Sequence, residues 1–362
     1  MTTTKTLLLV VGPGRSGTST LAGTLSKLGA HVAGPYLNAN ESNPMGFFES
    51  SWSVNFHNRV LRRGPVALAD ARPEAADLAE RLVTDADRAA LRAYLTEQAE
   101  SQDLVVLKDP RIVWLLATFG SVAKDLGMEL AAAVMLRRPN EVIASRLDYY
   151  HDSGAELEAL GYQGRDLAGW INQLTTCELL TRGVPRAFVS YDELLTDWRA
   201  AVTRALGDLP VTLEVPQTGV HHDVDDFIDP GLNRHQGDWP AGSAILDELR
   251  ALAERTFDAC DALARHTDGA EGATAQLDAV RDKYAFAYGL DRAITHDAAV
   301  ARGAAERREE RRKAATKAAA SKAAPHAAPV AAAGVPAQLR RAGTAALRRA
   351  ASLRRQVLAR KR

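Results

Sequence analysis

Over the first two hundred residues, short apolar runs alternate with stretches of helical spacing. Thr6–Val11 (TLLLVV) is an unbroken apolar run closed by Gly12, Pro13 and Gly14, the pattern of a strand buried on both faces. Leu21, Leu25 and Leu28 then recur at helical spacing, and Gly29 suits the helix end. Leu104–Leu107 (LVVL) predicts a second buried strand with a helix from about Pro110. Glu129–Leu136 (ELAAAVML) predicts a third, followed by a helix with Pro139 in its first turn. Arg186–Tyr191 (RAFVSY) predicts a fourth. Pro73–Ser101 reads as one or two amphipathic helices, and another helix is expected from near Ser51. Buried strands joined by helices imply a three-layer α/β/α fold around a central, mostly parallel sheet. Ligands of such sheets bind at the carboxyl ends of the strands.

Beyond His296 the pattern collapses into Ala, Arg and Lys, so the chain reads as a body (1–296) and a basic tail (297–362). The formal net charge of zero hides this division: Arg302 to Arg362 carry 17 Lys and Arg against 3 Asp and Glu, leaving 28 basic and 42 acidic residues before them. Residues 305–324 read as a solvated helix or as disordered. Leucines interleaved with paired arginines over 336–360 favour an amphipathic helix lying on an anionic membrane surface. Nonspecific attraction to nucleic acid and an idle solvated tail are the alternatives, and no specific nucleic-acid partner is expected. The TLLLVV run is too short for a signal peptide, and no apolar run approaches the ~18–20 residues of a membrane span, so a cytoplasmic location, peripheral at the inner membrane face, is expected. Cys177 and Cys260 lack metal spacing and read as buried, reduced thiols.

The candidate chemistry begins where the first strand ends. Gly12 and Gly17 have the spacing of a phosphate-binding loop of the form G-x-x-x-x-G-K-[ST], but Thr18 stands where the lysine belongs. Gly12, Gly14 and Gly17 let successive N–H groups turn inward as an anion nest, and the following helix adds its positive end. Ser16, Thr18, Ser19 and Thr20 supply hydroxyls, and Arg15 supplies a cation inside the loop. The missing lysine argues against an ordinary ATPase or GTPase. At the end of the third strand, Arg137 precedes Ser145 by eight positions, which places a guanidinium and a hydroxyl for a second phosphate group. Two anion sites at neighbouring strand ends suit a nucleotide with phosphates at both ends. A glutamate, Glu49, follows a turn-forming Asn43-Pro44-Met45-Gly46 and two phenylalanines, Phe47 and Phe48; a carboxylate beside aromatic rings can be tuned as a general base. The competing role for Glu49 is capping the helix that starts near Ser51.

These residues resemble the sulfotransferases that use 3′-phosphoadenosine 5′-phosphosulfate (PAPS) and release 3′-phosphoadenosine 5′-phosphate (PAP). Their phosphosulfate loop, [KR]-S-G-[TS]-[TS], is matched by Arg15-Ser16-Gly17-Thr18-Ser19, and their R-x-P with a serine eight residues after the arginine by Arg137-Arg138-Pro139 and Ser145. The SYDELL segment places Tyr191 where family members carry an adenine-contacting tyrosine. The resemblance implies PAPS as donor, no metal, and a hydroxyl or amine as acceptor. It implies Arg15 at the bridging oxygen, Lys108 at the sulfonate and Arg234 as a further 3′-phosphate contact. Thr20 stands where many cytosolic members have a stacking tryptophan, Arg234 and His235 lie closer to Gly237-Asp238-Trp239 than the R-K-G pattern expects, and Lys108-Asp109-Pro110-Arg111 replaces the K-x-H segment of the catalytic histidine. The chain therefore resembles the bacterial and glycan-modifying branches, whose N-P-x-G-[FY]-x-E segments carry a glutamate base, and a carbohydrate or glycolipid acceptor follows from that likeness. Asp109, His57 and the His221–His222 pair are rival bases, the histidines being discounted because nothing ties them to a strand end. Acceptor recognition is expected in the segments between motifs, Asp148–Trp170 among them. A P-loop kinase and a non-catalytic nucleotide-binding module remain as alternatives.

Overall fold

The computed structural model describes residues 4–37, 45–100, 102–150, 156–233, 237–239 and 245–323. Asn43, Pro44, Arg234, His235 and the segment 336–360 lie outside them. The chain divides into two compact units, Met1–Ala293 and Ile294–Arg362. In the second, the described part is one helix.

Elements follow in the order β1 (Thr6–Val11), α1 (Thr18–Lys27), β2 (His31–Val32), α2 (Ser51–Leu61), α3 (Ala75–Glu80), α4 (Asp85–Gln98) and β3 (Leu104–Lys108). A 3-10 turn, Ile112–Leu115, leads into α5 (Leu116–Asp125), then β4 (Glu129–Leu136), α6 (Pro139–Tyr150), α7 (Glu156–Leu180) and β5 (Arg186–Ser190). The first unit closes with α8 (Tyr191–Thr196), α9 (Trp198–Gly207), α10 (Asp223–Phe227), a 3-10 turn at Pro230–Leu232, α11 (Asp247–Arg265) and α12 (Ala270–Ile294), and α13 is His296–Ala323. The sheet is five-stranded, all parallel, in the order β2-β3-β1-β4-β5. All four predicted strands are present. The fifth, β2, spans only two residues, too few to leave a periodic signal.

β1 reads as unbroken apolar sequence because both of its faces are covered. Leu7, Leu9 and Val11 pack in the core beneath α2 to α7, α11 and α12, whereas Leu8 and Val10 pack beneath α1, α8, α9 and α10. Lys108 pairs opposite Val10, Val134 opposite Val11 and Ser190 opposite Leu136, so the carboxyl ends of β1, β3, β4 and β5 share one edge. The connections depart from β1 in both directions there, the switch point at which such sheets bind ligands. Gly29, at φ 94°, ends α1 as its spacing predicts: its N–H donates to the Ser26 carbonyl, and the N–H of Ala30 donates to the Leu25 carbonyl. The helix expected from Pro110 begins as the 3-10 turn, and Pro73–Ser101 forms two helices, α3 and α4.

Gly12 lets the loop leave β1 against β4. Its φ is +133°, and a Cβ there would lie 2.7 Å from the backbone oxygen of Met135. Backbone cannot yield as a flexible side chain can, so Gly12→Ala combines a conformational penalty with a clash. The substitution is expected to lower stability by about 3 kcal/mol, measured by chemical denaturation. A loss within experimental error would mean that the loop can leave β1 by another route.

Candidate functional site

The loop Gly12–Gly17 lies between β1 and α1. Arg15 has φ 73° and Gly17 φ 89°; the former is costly for a residue with a side chain and is sustained by its surroundings. Arg137 donates from one terminal nitrogen to the Arg15 carbonyl at 3.0 Å. Tyr191 lies directly beneath Gly17, where a Cβ would stand 2.2 Å from its ring, and the Arg137 guanidinium covers the same ring at 4.8 Å. Burial raises the Tyr191 hydroxyl above its ordinary pKa, against the pull of Arg137 and Arg15. The ring is 6% exposed, so Tyr191 forms the floor of the loop. No side chain caps the N-terminus of α1. Ser16 is fully buried, and its Oγ has no hydrogen-bond partner. A glycine loop, an uncapped helix start and an orphaned hydroxyl fit an acceptor-rich anion of the phosphate type. Thr18 is buried beside them, and Thr20 is half-buried, its carbonyl accepting from the Thr24 hydroxyl.

The second predicted anion site joins the first. Arg15 Nε donates to Ser145 Oγ at 3.1 Å, linking motifs 130 residues apart. Arg137 is already well engaged: Nε donates to Glu141 at 2.9 Å and a terminal nitrogen donates to Asn233 Oδ1 at 2.5 Å, in addition to the Arg15 carbonyl. A guanidinium has five N–H donors, so two remain for a ligand. Glu141, four residues along α6, is raised above the usual carboxyl range by burial and by Asp192, with Arg137 pulling the other way. Glu141 and Asn233 are partners the sequence did not suggest. The short segment Gly237–Trp239 is tied to α6 by Asn140, which donates to the Gly237 carbonyl.

Lys108, at the end of β3, is 3% exposed and donates to Glu49 Oε1 at 2.6 Å, to Ser19 Oγ at 3.1 Å and to the Phe47 carbonyl at 3.2 Å. A lysine from the neighbouring strand thus reaches the first turn of α1. Glu49 does not cap α2; Ser50 does, accepting from the Ser53 N–H. The carboxylate of Glu49 instead lies between Lys108 and Arg111, whose NH1 is 3.6 Å from Oε2. Phe48, at φ 51°, turns away to Tyr36 and Phe227, so the flanking groups that matter to Glu49 are cations.

The ionic chain continues inward. Arg111 donates to Asp109 Oδ1 at 2.9 Å, and Asp109 Oδ2 lies 3.2 Å from both His57 Nδ1 and the donating Ser53 Oγ. His57 and Asp109 are fully buried, and His57 stacks on Phe119. Local spacing gave no reason to bring His57 to a strand end, yet α2 delivers it to the end of β3. The other two rival bases are elsewhere: His222 caps α10, and His221 pairs with Asp226 on the surface. Arg111 was visible in the sequence as the last residue of the Lys108–Arg111 segment, and Arg146 as the neighbour of Ser145. Among the described residues no cluster of His, Cys, Asp and Glu has the arrangement of a metal site, and no helix is long and apolar enough to cross a membrane.

No protein-family model and no curated protein matches the chain. Among solved structures it is similar to the sulfotransferase domain from the Synechococcus PCC 7002 olefin synthase, with 18% identity over 71% of this chain and 96% of that one and a TM-score of 0.42. A superposition this loose lends no support to a function, and the functional reading rests on the residues of the site.

Burial alone would raise the Asp109 carboxyl, but the adjacent His57 and Arg111 outweigh it and hold the group well below the usual carboxylate range. A depressed folded-state pKa stabilises the fold above the unfolded value near 3.9, and the contribution is lost as pH falls below it. Asp109→Asn is expected to cost about 3 kcal/mol at neutral pH and to flatten the decline in stability below about pH 4. Denaturation at a series of pH values checks both, and an unchanged acid limb would assign the titration to another group.

Proposed function

We propose that the chain is a sulfotransferase that moves a sulfuryl group from PAPS to an acceptor hydroxyl, that of a carbohydrate or glycolipid. The observation that carries the reading is the Arg15–Ser145 hydrogen bond, which brings the two anion-binding motifs into one site at the carboxyl edge of the sheet. A donor with a 5′-phosphosulfate and a 3′-phosphate needs both. The donor supplies the sulfuryl group, whose bond to the phosphate oxygen breaks as the bond from the acceptor oxygen forms. The loop N–H groups and Ser16 hold the 5′ end, and Arg137 with Ser145 holds the 3′-phosphate. Arg15 and Lys108 neutralise charge on the leaving oxygen and the sulfonate, the role that positioned cations have in the related phosphoryl transfers. Glu49 takes the proton of the acceptor hydroxyl, with Lys108 and Arg111 fixing its carboxylate. The carbohydrate assignment rests on the likeness of Asn43–Glu49 to the glutamate-bearing segments of glycan-type sulfotransferases.

PAP is expected to bind about tenfold to a hundredfold more tightly than AMP, because only PAP engages Arg137 and Ser145. Titration calorimetry decides this: equal affinity for the two would reject PAPS, and tighter binding of ATP–Mg²⁺ would favour a P-loop kinase. Glu49→Gln keeps the shape of the side chain and removes the base. Turnover is expected to fall by roughly 10²–10⁴-fold with PAP affinity retained. If the variant keeps near-normal turnover, the proton goes elsewhere; if the unmodified chain binds PAP and turns over no hydroxyl acceptor, it is a binding module.

A further inference from the structure

Four cationic side chains stand around the glycine loop: Arg15, Lys108, Arg137 and Arg146. The three N–H donors of Lys108 match its three acceptors, Ser19 Oγ, the Phe47 carbonyl and Glu49. Arg137 is held by Glu141, Asn233 and the Arg15 carbonyl, and Arg15 Nε bonds Ser145. Arg146 differs. It is 6% exposed, and one terminal nitrogen, NH1, donates to Asp166 of α7 at 3.0 Å. Its Nε is buried without a partner. Its other terminal nitrogen, NH2, lies 3.7 Å from the position that a Cβ on Gly14 would take, so the guanidinium flanks the loop.

Two buried polar atoms beside one loop, Arg146 Nε and Ser16 Oγ, therefore lack partners within the protein. Leaving a buried donor unpaired is costly, and most such groups in folded proteins are satisfied. Asp166 anchors one corner of the guanidinium and leaves the Nε/NH2 edge, the pair of parallel N–H groups that grips phosphate-type anions in a bidentate manner. One turn of α6 thus presents Ser145 to Arg15 and Arg146 to Gly14.

We infer that Arg146 is a donor-binding residue, whose Nε/NH2 edge grips the 5′-phosphate end of the nucleotide alongside Ser16 while Asp166 holds the guanidinium in place. The inference rests on the sulfotransferase reading for the class of ligand and adds to it a residue outside both sequence motifs. It also separates the duties of the arginines, with Arg146 serving the 5′ end and Arg137 the 3′ end.

The test is calorimetry of the full chain and of Arg146→Gln with three probes: PAP, adenosine 3′-phosphate and inorganic pyrophosphate. Arg146→Gln is expected to weaken PAP and pyrophosphate at least tenfold and to leave adenosine 3′-phosphate unchanged. Arg146→Lys, which keeps the charge and loses the paired edge, is expected to fall between. The double variant Arg146→Gln/Asp166→Asn removes the acid left without its partner. If it melts with the unmodified chain and shows the same selective loss, misfolding is not the cause. Unchanged PAP affinity in Arg146→Gln, or equal losses for PAP and adenosine 3′-phosphate, would overturn the inference. If the unmodified chain binds pyrophosphate but not PAP, the donor reading fails, and Arg146 is judged on pyrophosphate alone. Binding of neither probe overturns both.

Discussion

A buried carboxylate between two cations organises the site. Glu49 meets Lys108 at 2.6 Å and Arg111 at 3.6 Å, and Arg111 passes on to Asp109, which faces His57. Removing charges from water is expensive, and such a chain is sustained by an opposite neighbour for each charge and by further hydrogen bonds. Ser53, Ser19 and the Phe47 carbonyl supply such bonds, and His57 Nε2 is the one buried atom of the chain left without a partner among the described residues. The consequence is geometric: the turn before α2, the start of α1 and the end of β3 are held together. Neither the turn nor the loop could take its conformation alone, since Phe48 and Arg15 both have positive φ.

The loop obeys a second constraint, close approach. Gly12 lies against the backbone of β4 and Gly17 against the ring of Tyr191. The space a side chain would fill belongs to β4 and to Tyr191 of α8, so the loop is clamped from below. The lysine absent from the loop is replaced in charge by one from β3. That lysine approaches from the side and reaches Ser19, and Arg137, just before α6, and Arg146, on α6, approach from the other side. Charge is thus distributed around the loop by three separate elements, which fits the proposed donor, with anionic groups at both ends, better than a triphosphate tail gripped by one loop.

Balance between these cations and their acids also governs how firmly the site's side chains are set. Arg137 has Glu141 and Asn233, and Arg146 has Asp166, so each guanidinium is aimed before any ligand arrives. Pre-aimed groups lose less freedom on binding.

Four of the five strands, the glycine loop and the starts of α1, α2 and α6 were legible in the sequence. Each depends on requirements that neighbouring residues express directly: apolar side chains on both faces of a strand, positive φ at Gly17, the termination of α1 at Gly29. The two-residue β2 was not legible, because it is defined by its pairing with β3 and not by its own pattern. The candidate anion residues were also named from local motifs. What only the tertiary structure decided is which charges meet. Lys108 and Glu49 are 59 residues apart, Arg137 and Asn233 are 96, and Arg15 and Ser145 are 130. The strand order β2-β3-β1-β4-β5 juxtaposes them, and it follows from the packing of helices on both faces of the sheet rather than from any segment by itself. For that reason the sequence placed Glu49 among aromatic rings and His57 away from the strand ends, and gave no role to Arg146. The fold set Glu49 between cations, His57 against Asp109 and Arg146 at the loop.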